Sequence, residues 1–261
     1  LYELRVRREP TYPGSRVEVG PRTVRLVEGD RGWVSWSDLG GLSAPEIDAA
    51  IEAEVDAFRL LGVTKKLEWK LYGSDRPAFL RERLEAGGFV PKEPAEAILV
   101  LDLHDLPADL AELSDPVLRG ARGFDIRRIA ADEAGLEEIR RIMQAVWPEE
   151  DAAETVDYIR ENVASDPRAN SLWLAYVDGQ PVAEGRVDFA CGEFAGIWGG
   201  ATLPAYRRRG IYTALVAARA AEALDRGCRF LTIDASPMSR AVLEKRGFRL
   251  LDTALECNLG H

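Results

Sequence analysis

Thr202-Leu203-Pro204-Ala205-Tyr206-Arg207-Arg208-Arg209-Gly210-Ile211-Tyr212-Thr213 is the segment that decides the fold, because it joins a predicted strand to a predicted helix through three arginines and one glycine. The first N–H groups of a helix have no partners within the helix, and the helix dipole is positive there, so this end attracts phosphate. The arginines add positive charge, and Gly210 allows the main chain to approach closely. We therefore predict that this segment, here called the cradle, binds phosphate; the alternative is a solvated basic turn.

Periodicity supports the elements on both sides of the cradle. Residues 195–203 are apolar enough for a strand, and Gly199-Gly200 within it suits a β-bulge or a close approach of the main chain. After Gly210, apolar residues recur at helical spacing, and the polar positions 219, 222 and 226 are expected to face solvent. The apolar positions are Ile211, Ala214, Leu215, Ala217, Ala218, Ala221 and Leu224.

The order of elements resembles the general-control-related N-acetyltransferase (GNAT) superfamily. Arg207 and Gly210 match the Arg-x-x-Gly-x-(Gly/Ala) pyrophosphate loop of that superfamily, whereas Tyr212 stands where a small residue is usual. Residues 230–234 read as the next strand, and residues 236–248 as a helix with the Gly-Phe ending of the superfamily. The resemblance covers about residues 124–259. It implies an α/β (α+β) architecture, the acyl-coenzyme A N-acyltransferase fold.

The resemblance also implies a reaction and a donor site. The reaction is transfer of an acetyl group from acetyl-coenzyme A, the acyl-donor substrate, to a primary amine of a small molecule or protein, with no metal ion. Such transfer needs positioning, a hydrogen bond to the developing oxyanion and a route for the amine proton. The residues implied to contact the donor are Ala201, Thr202, Leu203, Arg207, Arg208, Arg209, Gly210, Ile211, Tyr212, Thr213, Ser236 and Ser239.

The residue that handles the proton is left open. Many GNAT enzymes have a tyrosine general acid where this chain has Leu243, and leucine cannot transfer a proton. Candidates for the general base are Glu193, entering the cradle strand, and Asp234, at the end of the neighbouring strand, with Glu184 and Asp188 as further candidates. Glu193 would need partial burial, which raises a carboxyl pKa toward neutrality. Each of these acids is alternatively a solvent-facing strand residue.

The first half of the chain contains a faint copy of the second. Residues 80–89 align with residues 239–248, including the Gly-Phe pair. Before them come a predicted strand at 33–36, a helix from Ser43 to Leu61 that a Ser43–Glu46 capping box would begin, and a strand at 66–71. Residues 1–103 are therefore interpreted as a degenerate GNAT-like domain, the alternative being a coincidence of common α/β elements.

The copy lacks a cradle. Residues 38–43, between its first strand and its helix, contain no arginine, and Glu46 and Asp48 in the first helical turn would repel a pyrophosphate. We therefore expect one donor per chain, bound by the second half.

The remaining boundaries follow from turn residues. Pro107, Pro116, Gly120 and Gly123 mark residues 104–123 as a linker. Residues 124–261 are predicted to form the acetyl-coenzyme A-binding GNAT domain, so that two mixed-sheet domains stand in tandem. Its predicted elements before the cradle are a strand at 124–130, helices at 132–147 and 152–164, and a hairpin over 170–194 that turns at Asp178-Gly179.

Composition narrows the function classes. The net charge of −10 over 261 residues disfavours general nucleic-acid binding. Three widely spaced cysteines (Cys191, Cys228 and Cys257) argue against a disulfide framework or a zinc site. Only His104 and His261 are histidines, which disfavours a histidine-based triad or metal site. No apolar run reaches the length of about 18 residues that a membrane span needs. We expect a cytoplasmic enzyme of undetermined oligomeric state.

A second function remains open. Leu243 at the usual tyrosine position and the missing first cradle are also compatible with a non-catalytic acyl-coenzyme A sensor or interaction module. A third alternative is transfer of a longer acyl group, or transfer to a hydroxyl. Turnover of acetyl-coenzyme A against a set of amines distinguishes an enzyme from a sensor.

Overall fold

Two compact units make up the chain in a computed structural model that describes residues 1–12, 14–116, 120, 122–149 and 151–260. The first unit consists of Leu1–Leu99, Asp234–Arg240 and Leu250–His261, and the second of Val100–Ile233 and Ala241–Arg249. His261 itself lies outside the described residues, as do residues 117–119 and 121 of the predicted linker. Each unit has a sheet of mixed strand direction with helices packed on it.

The first unit begins with a short π-helical segment, Glu3–Arg8, and contains helices α1 (Ala44–Leu60) and α2 (Leu80–Ala86). In its sheet the strands follow the order β1-β2-β3-β4-β11-β5. β3 and β4 run parallel because α1 connects them, whereas β1 with β2, β2 with β3 and β4 with β11 are antiparallel. The bounds are β1 (Arg16–Val19), β2 (Thr23–Glu28), β3 (Arg31–Ser37), β4 (Lys66–Tyr72), β5 (Phe89–Asp102) and β11 (Arg249–Leu259).

The predicted capping box at the start of α1 is confirmed. The carboxylate of Glu46 accepts hydrogen bonds from the N–H of Ser43 at 2.8 Å and from its hydroxyl at 2.6 Å. The apolar stripe of α1 packs on one face of the sheet, where Trp69 meets Phe89 edge-on with ring centroids 6.2 Å apart. Buried members of this core are Val27, Val34, Leu39, Ile47, Ile51, Val55, Phe58, Leu67, Trp69, Leu80, Leu84, Phe89, Leu255 and Cys257.

The sheet of the second unit has the strand order β10-β9-β8-β7-β6. β9 and β10 are parallel, and the other neighbours are antiparallel. The strands are β6 (Asp125–Ile129), β7 (Asn170–Val177), β8 (Gln180–Cys191), β9 (Phe194–Thr202) and β10 (Phe230–Ala235). The later helices of the chain are α3 (Ala108–Ser114), α4 (Glu133–Val146), α5 (Ala152–Ser165), α6 (Ile211–Asp225) and α7 (Pro237–Glu244).

Helices cover both faces of the second sheet. Leu172 and Leu174 of β7 pack with α4 and α5, whereas the alternating residues Ser171 and Trp173 donate hydrogen bonds to Glu222 of α6. Because successive side chains of a strand point to opposite faces, α6 lies on the face opposite α4 and α5. The cradle connects β9 to α6 and therefore passes from the end of β9 to this second face of the sheet.

Most predicted elements are present within a residue or two of the expected bounds. Among the elements that were not predicted from the sequence are the segment Glu3–Arg8, the antiparallel strands β1 and β2, and α3. Helix α3 lies within the predicted linker and buries Leu110 and Leu113, and Pro107 is its N-cap residue. Proline is tolerated at the start of a helix because the first N–H groups have no helical partner. The proposed domain boundaries stay a prediction.

Candidate functional site

A β-bulge interrupts β9 directly before the cradle. Ala183 of β8 pairs with Thr202 and Gly185 pairs with Gly199, so that two residues of β9, Gly200 and Ala201, oppose the single residue Glu184. Gly199 and Gly200 have φ angles of +69° and +88°, which glycine adopts without a side-chain clash. The predicted bulge is confirmed, and it leaves the extra residue of β9 without regular pairing.

The cradle itself is an exposed turn followed by the start of α6. A short 3₁₀ turn, Pro204–Tyr206, ends β9, and Arg207 donates from Nε to the carbonyl oxygen of Thr202 at 3.0 Å, which closes the loop. Arg208 and Gly210 have φ angles of +61° and +83°. Residues 207–210 are exposed, and within the described part of the chain no carboxylate forms a salt bridge with these three arginines. Their positive charge is therefore available to an anion.

The N-terminus of α6 has no side-chain cap. Gly210 occupies the N-cap position and carries no side chain that could accept a hydrogen bond from the first turn. By contrast, Glu46 already places a carboxylate at the N-terminus of α1, and the hydrogen bonds from Ser43 lower its pKa. An anion at the cradle would thus take the position that Glu46 occupies in the first unit.

Tyr212 fits the cradle because Gly200 has no side chain. A Cβ atom on Gly200 would lie 2.8 Å from Cε2 of the Tyr212 ring, too close for any other residue. The tyrosine that departs from the GNAT pattern is thus matched by a glycine in the bulge. Thr202 and Thr213, on either side, are buried, as are Ala201 and Ile211, while Leu203 is half-buried.

Arg219 is buried, which corrects the expectation that it faces solvent. Only 1% of its surface is exposed. Its Nη1 donates to the carbonyl oxygens of Arg186 at 3.2 Å and Trp198 at 3.1 Å, and its Nε donates to that of Leu215 at 3.1 Å. Gly185 makes room for the guanidinium, since a Cβ there would lie 2.7 Å from Nη1. Arg219 therefore ties α6 to β8 and β9 just before the bulge.

Glu222 is the second helical position wrongly expected in solvent. Its carboxylate accepts hydrogen bonds from Ser171 at 2.6 Å, Trp173 at 2.9 Å and Arg226 at 2.7 Å. Burial would raise its pKa, but these hydrogen bonds and the charge of Arg226 outweigh burial and lower it. Glu222 thereby fixes the far end of α6 on β7.

Glu184 lies fully buried opposite the bulge. Its Oε1 accepts a long hydrogen bond of 3.4 Å from the N–H of Ala201. Burial raises the pKa of this carboxyl group, and the charges of Arg186 and Arg219 and the N–H groups of Ala201 and Gly200 oppose the rise. A carboxyl group in this environment is biased toward its protonated form.

Glu193 does not have the surroundings that a general base needs. It is exposed in the turn between β8 and β9, where its carbonyl oxygen accepts hydrogen bonds from the N–H groups of Arg229 and Phe230 at 2.9 Å each. At about 3.3 Å per residue, the nine residues of β9 separate it from the cradle by nearly the full length of the strand. The partial burial required of Glu193 as a base is absent.

Asp234 belongs to the first unit, where its carboxylate forms an ion pair with Lys70 of β4. The side chains of Asp234 and Lys70 are 8% and 16% exposed. Burial lowers the pKa of Lys70, but Asp234 and neighbouring acids outweigh this and raise it, so Lys70 stays protonated. Asp234 is therefore a buried carboxylate with a permanent cationic partner.

Ser236 caps α7. The N–H of Ser239 donates to the Ser236 hydroxyl at 3.3 Å, and the two hydroxyls lie 3.1 Å apart. Both serines belong to the first unit, as Asp234 does, whereas all the cradle residues belong to the second. Leu243, at the usual tyrosine position, is 1% exposed and is a core residue.

Sequence reasoning missed Glu96 of β5. This half-buried residue of the first unit has a pKa raised to about 7, first by burial and then by the charge of Asp234, while Lys70 opposes the rise. Alternation along β5 could have placed it on the same face as Ile98, but nothing local indicated its acidic neighbours. Among the described residues, no group of three or more His, Cys, Asp or Glu side chains could hold a metal ion. None of the described helices has the length and apolar character needed to cross a membrane.

Comparison with known proteins relates part of the chain to a family. Residues 136–248 match the sequence profile of the Acetyltransferase (GNAT) family. A comparison with curated protein sequences finds no match.

Solved structures with the same fold span nearly the whole chain. The chain is similar to a GCN5-related N-acetyltransferase from Kribbella flavida, with a TM-score of 0.61 and 18% identity over 95% of this chain and 90% of the other. It is also similar to a tandem GNAT protein from the clavulanic acid biosynthesis pathway, with a TM-score of 0.56 and 16% identity over 95% and 83%. A functionally unknown conserved protein from Staphylococcus epidermidis gives a TM-score of 0.66 at 14% identity over 95% of both chains. Residues 136–248 are therefore similar to the Acetyltransferase (GNAT) family, and the chain has the acyl-coenzyme A N-acyltransferase fold.

Proposed function

We propose that this protein is an N-acetyltransferase that moves the acetyl group of acetyl-coenzyme A to a primary amine of a small molecule or protein. The observation that carries the proposal is the cradle: three exposed arginines beside the uncapped N-terminus of α6, directly after a bulged strand. A pyrophosphate needs cationic side chains and free N–H groups, and the cradle offers both. The GNAT family of residues 136–248 supports acyl transfer as the reaction.

Within the proposed site, different residues would bind different parts of the donor. Arg207, Arg208, Arg209 and the N–H groups of residues 211–213 would hold the pyrophosphate of the donor. The bulge at Gly199 and Gly200 would leave main-chain groups free for the amide-bearing arm, with Ala201, Thr202 and Leu203 beside it. The donor supplies an activated thioester, so the protein's contribution is to orient it and to stabilise the developing oxyanion. We also propose that Ser236 and Ser239 contact the donor.

For the acceptor proton we propose Asp234 as the general base in place of Glu193. The side chain of Asp234, at the end of β10, is 8% exposed, whereas Glu193 is exposed in the turn between β8 and β9. General-base catalysis contributes about 10²- to 10⁴-fold to a rate. We expect D234N to lower acetyl transfer by about that factor while acetyl-coenzyme A affinity changes little. Loss of transfer in E193Q but not in D234N would assign the proton to Glu193 instead.

The first half is proposed to be a degenerate GNAT-like domain that binds no donor. The N-terminus of α1, which corresponds in order to that of α6, is closed by the Glu46 carboxylate. In place of the cradle arginines, the loop at residues 38–43 has Asp38, whose side chain accepts a hydrogen bond from the N–H of Gly40. The boundaries proposed are residues 1–103 and 124–261, with 104–123 between them.

The test is acetyl transfer to a panel of amines. The purified chain is incubated with acetyl-coenzyme A and with polyamines, amino sugars or lysine-containing peptides, and both free thiol and acetylated product are measured. We expect at least one acetylated amine and matched release of coenzyme A. The exposed variant R168A serves as a control for loss of surface charge, since its side chain is 92% exposed and lies outside the cradle.

A buried leucine at the usual tyrosine position favours one alternative, a sensor that binds acyl-coenzyme A without transfer. Binding of acetyl-coenzyme A with no transfer to any amine would support the sensor and contradict the enzyme. Mass spectrometry of the thioester that copurifies with the protein would show whether the acyl group is acetyl or longer.

A further inference from the structure

We infer that Glu184 is a positioning residue for the donor, because its carboxyl group holds the β9 bulge, and the main-chain groups beside the cradle, in one fixed shape. The inference rests on the proposed function, since it assigns a role within the same donor site. Glu184 belongs to β8, a strand with no residue expected to contact the donor. Its role would therefore be exerted through β9.

The carboxyl group of Glu184 contacts the bulge at two places. A Cβ atom on Gly199 would lie 2.6 Å from Oε1 and 2.7 Å from Oε2 of Glu184, so the carboxyl group occupies the space that a side chain at Gly199 would need. Oε1 also accepts the N–H of Ala201. The group thus touches the bulge at both its first glycine and its last residue, and it determines how far β9 can bend there.

One oxygen atom of the Glu184 carboxyl group lacks a hydrogen bond within the described part of the chain. Oε2 of Glu184 is completely buried and has no hydrogen-bond partner among the described residues, and neither do Oγ1 of Thr202 and Nη2 of Arg219. Thr202 ends the bulged strand, and Arg219 bonds to it at Trp198. Native proteins leave few buried polar atoms unpaired, so three of them at one bulge point to polar groups supplied by a ligand or by ordered water.

The protonation state of Glu184 follows from its surroundings. The charged groups that face it are Arg186 on β8 and Arg219 on α6, and the N–H groups of Gly200 and Ala201 face it from β9. These groups favour the carboxylate, but complete burial favours the acid, and burial is the larger effect. A protonated carboxyl group also resembles an amide in shape, which makes glutamine a close substitute.

The arm of coenzyme A carries two amide groups that can pair with a strand as a further strand would. A bulge frees the main-chain groups with which such an arm pairs. If Glu184 sets the shape of the bulge, its removal should weaken binding of the arm. Binding of the nucleotide end should be unaffected, since that end meets the arginines and the start of α6.

The experiment compares two ligands by calorimetry: acetyl-coenzyme A and adenosine 3′-phosphate 5′-diphosphate, the part of coenzyme A without the arm. We expect E184A to weaken acetyl-coenzyme A binding about tenfold or more, as loss of a buried hydrogen bond would, and to leave the nucleotide affinity unchanged. E184Q should restore acetyl-coenzyme A affinity to within about threefold of the wild type. E112Q, an exposed glutamate on α3, is the matched control.

A second readout is the affinity for acetyl-coenzyme A divided by the affinity for the nucleotide, measured as a function of pH. The terminal phosphate of the nucleotide ionises near neutral pH and is esterified in coenzyme A, but this difference is the same for wild type and E184Q. Relative to the ratio in E184Q, the ratio in the wild type should therefore fall as rising pH ionises Glu184. Equal loss of both ligands in E184A, or no loss of either, or an equal pH response in wild type and E184Q, would overturn the inference. Failure of the wild type to bind either ligand would instead contradict the proposed donor site.

Discussion

At the residue scale, the arginines of the cradle are the clearest case in which neighbouring residues in the sequence predict a property of one site, its positive charge. Arg207 is held by the carbonyl oxygen of Thr202, while Arg208 and Arg209 project into solvent, where Arg209 lies 5.5 Å from the centroid of the Tyr206 ring. None of the three is needed for the core. Their replacement should therefore affect the ligand and leave the fold intact.

We predict that R207A and R209A each weaken acetyl-coenzyme A binding by about 1.5–3 kcal/mol, the contribution of a hydrogen bond to a charged group. Isothermal titration calorimetry measures the change, and urea denaturation should show unaltered stability. The effect should shrink at high salt, because the side chains are exposed and screened. R168A should bind as the wild type does, and unchanged affinity in R207A and R209A would contradict the cradle assignment.

At the scale of elements, α6 is held at two places along its length. Arg219 joins it to β8 and β9, and Glu222 joins it to Ser171 and Trp173 of β7. These contacts lie on the face of α6 that the sequence indicated as polar and that we expected to be solvated. They place the N-terminus of the helix, and with it the cradle, relative to the sheet.

The Glu222 contact should make stability depend on pH. The folded pKa of Glu222 is lowered, so its contribution is fully present above the unfolded pKa of about 4.3 and is lost as pH falls through the folded pKa. We predict that E222Q is less stable by about 2 kcal/mol at pH 7, the contribution of a hydrogen bond to a charged group. The difference from wild type should shrink below about pH 4. Denaturant titrations at several pH values measure it; a difference that persists at pH 3, or one that E112Q reproduces, would contradict the assignment.

The helices and strands also show which contacts a sequence pattern can predict. Ser43 with Glu46, Ser236 and the Asp178-Gly179 turn act on residues within four positions, and each was predictable from the residues alone. The strand partners of Arg219, Glu222 and Lys70 lie far away along the chain, and no local pattern specifies the register of those strands. For the same reason, the sequence pattern predicted solvent-facing charged residues on α6, although Arg219 is buried and Glu222 is half-buried.

Some features of the candidate site could likewise be predicted from the sequence, and others could not. The cradle and the Gly199-Gly200 bulge could be predicted because glycine and arginine report local conformation and charge. The surroundings of Glu193 and Glu184 could not be predicted, because burial of a strand residue depends on which helices pack over it. The exposed Glu193 and the buried Glu184 have the same side chain nine positions apart in adjoining parts of one hairpin.

At the scale of the whole molecule, the two helices that follow the two loops differ in what their N-termini offer. The N-terminus of α1 is occupied by the carboxylate of Glu46, and that of α6 by no side chain. A pyrophosphate at α1 would have to displace a carboxylate held by two hydrogen bonds and would find no arginine in residues 38–43. The chain should therefore bind one donor, although it contains two loops of related position.

We predict a stoichiometry of one acetyl-coenzyme A per chain, and no measurable binding once R207A and R209A are combined. Calorimetry of the wild type measures the first and calorimetry of the double variant the second. The variant E46Q is the sharpest control: it removes the negative charge at α1 but adds no arginine, so the stoichiometry should stay at one. Two donors per wild-type chain, or residual binding in the double variant that E46Q strengthens, would show that the first unit retains a donor site of its own.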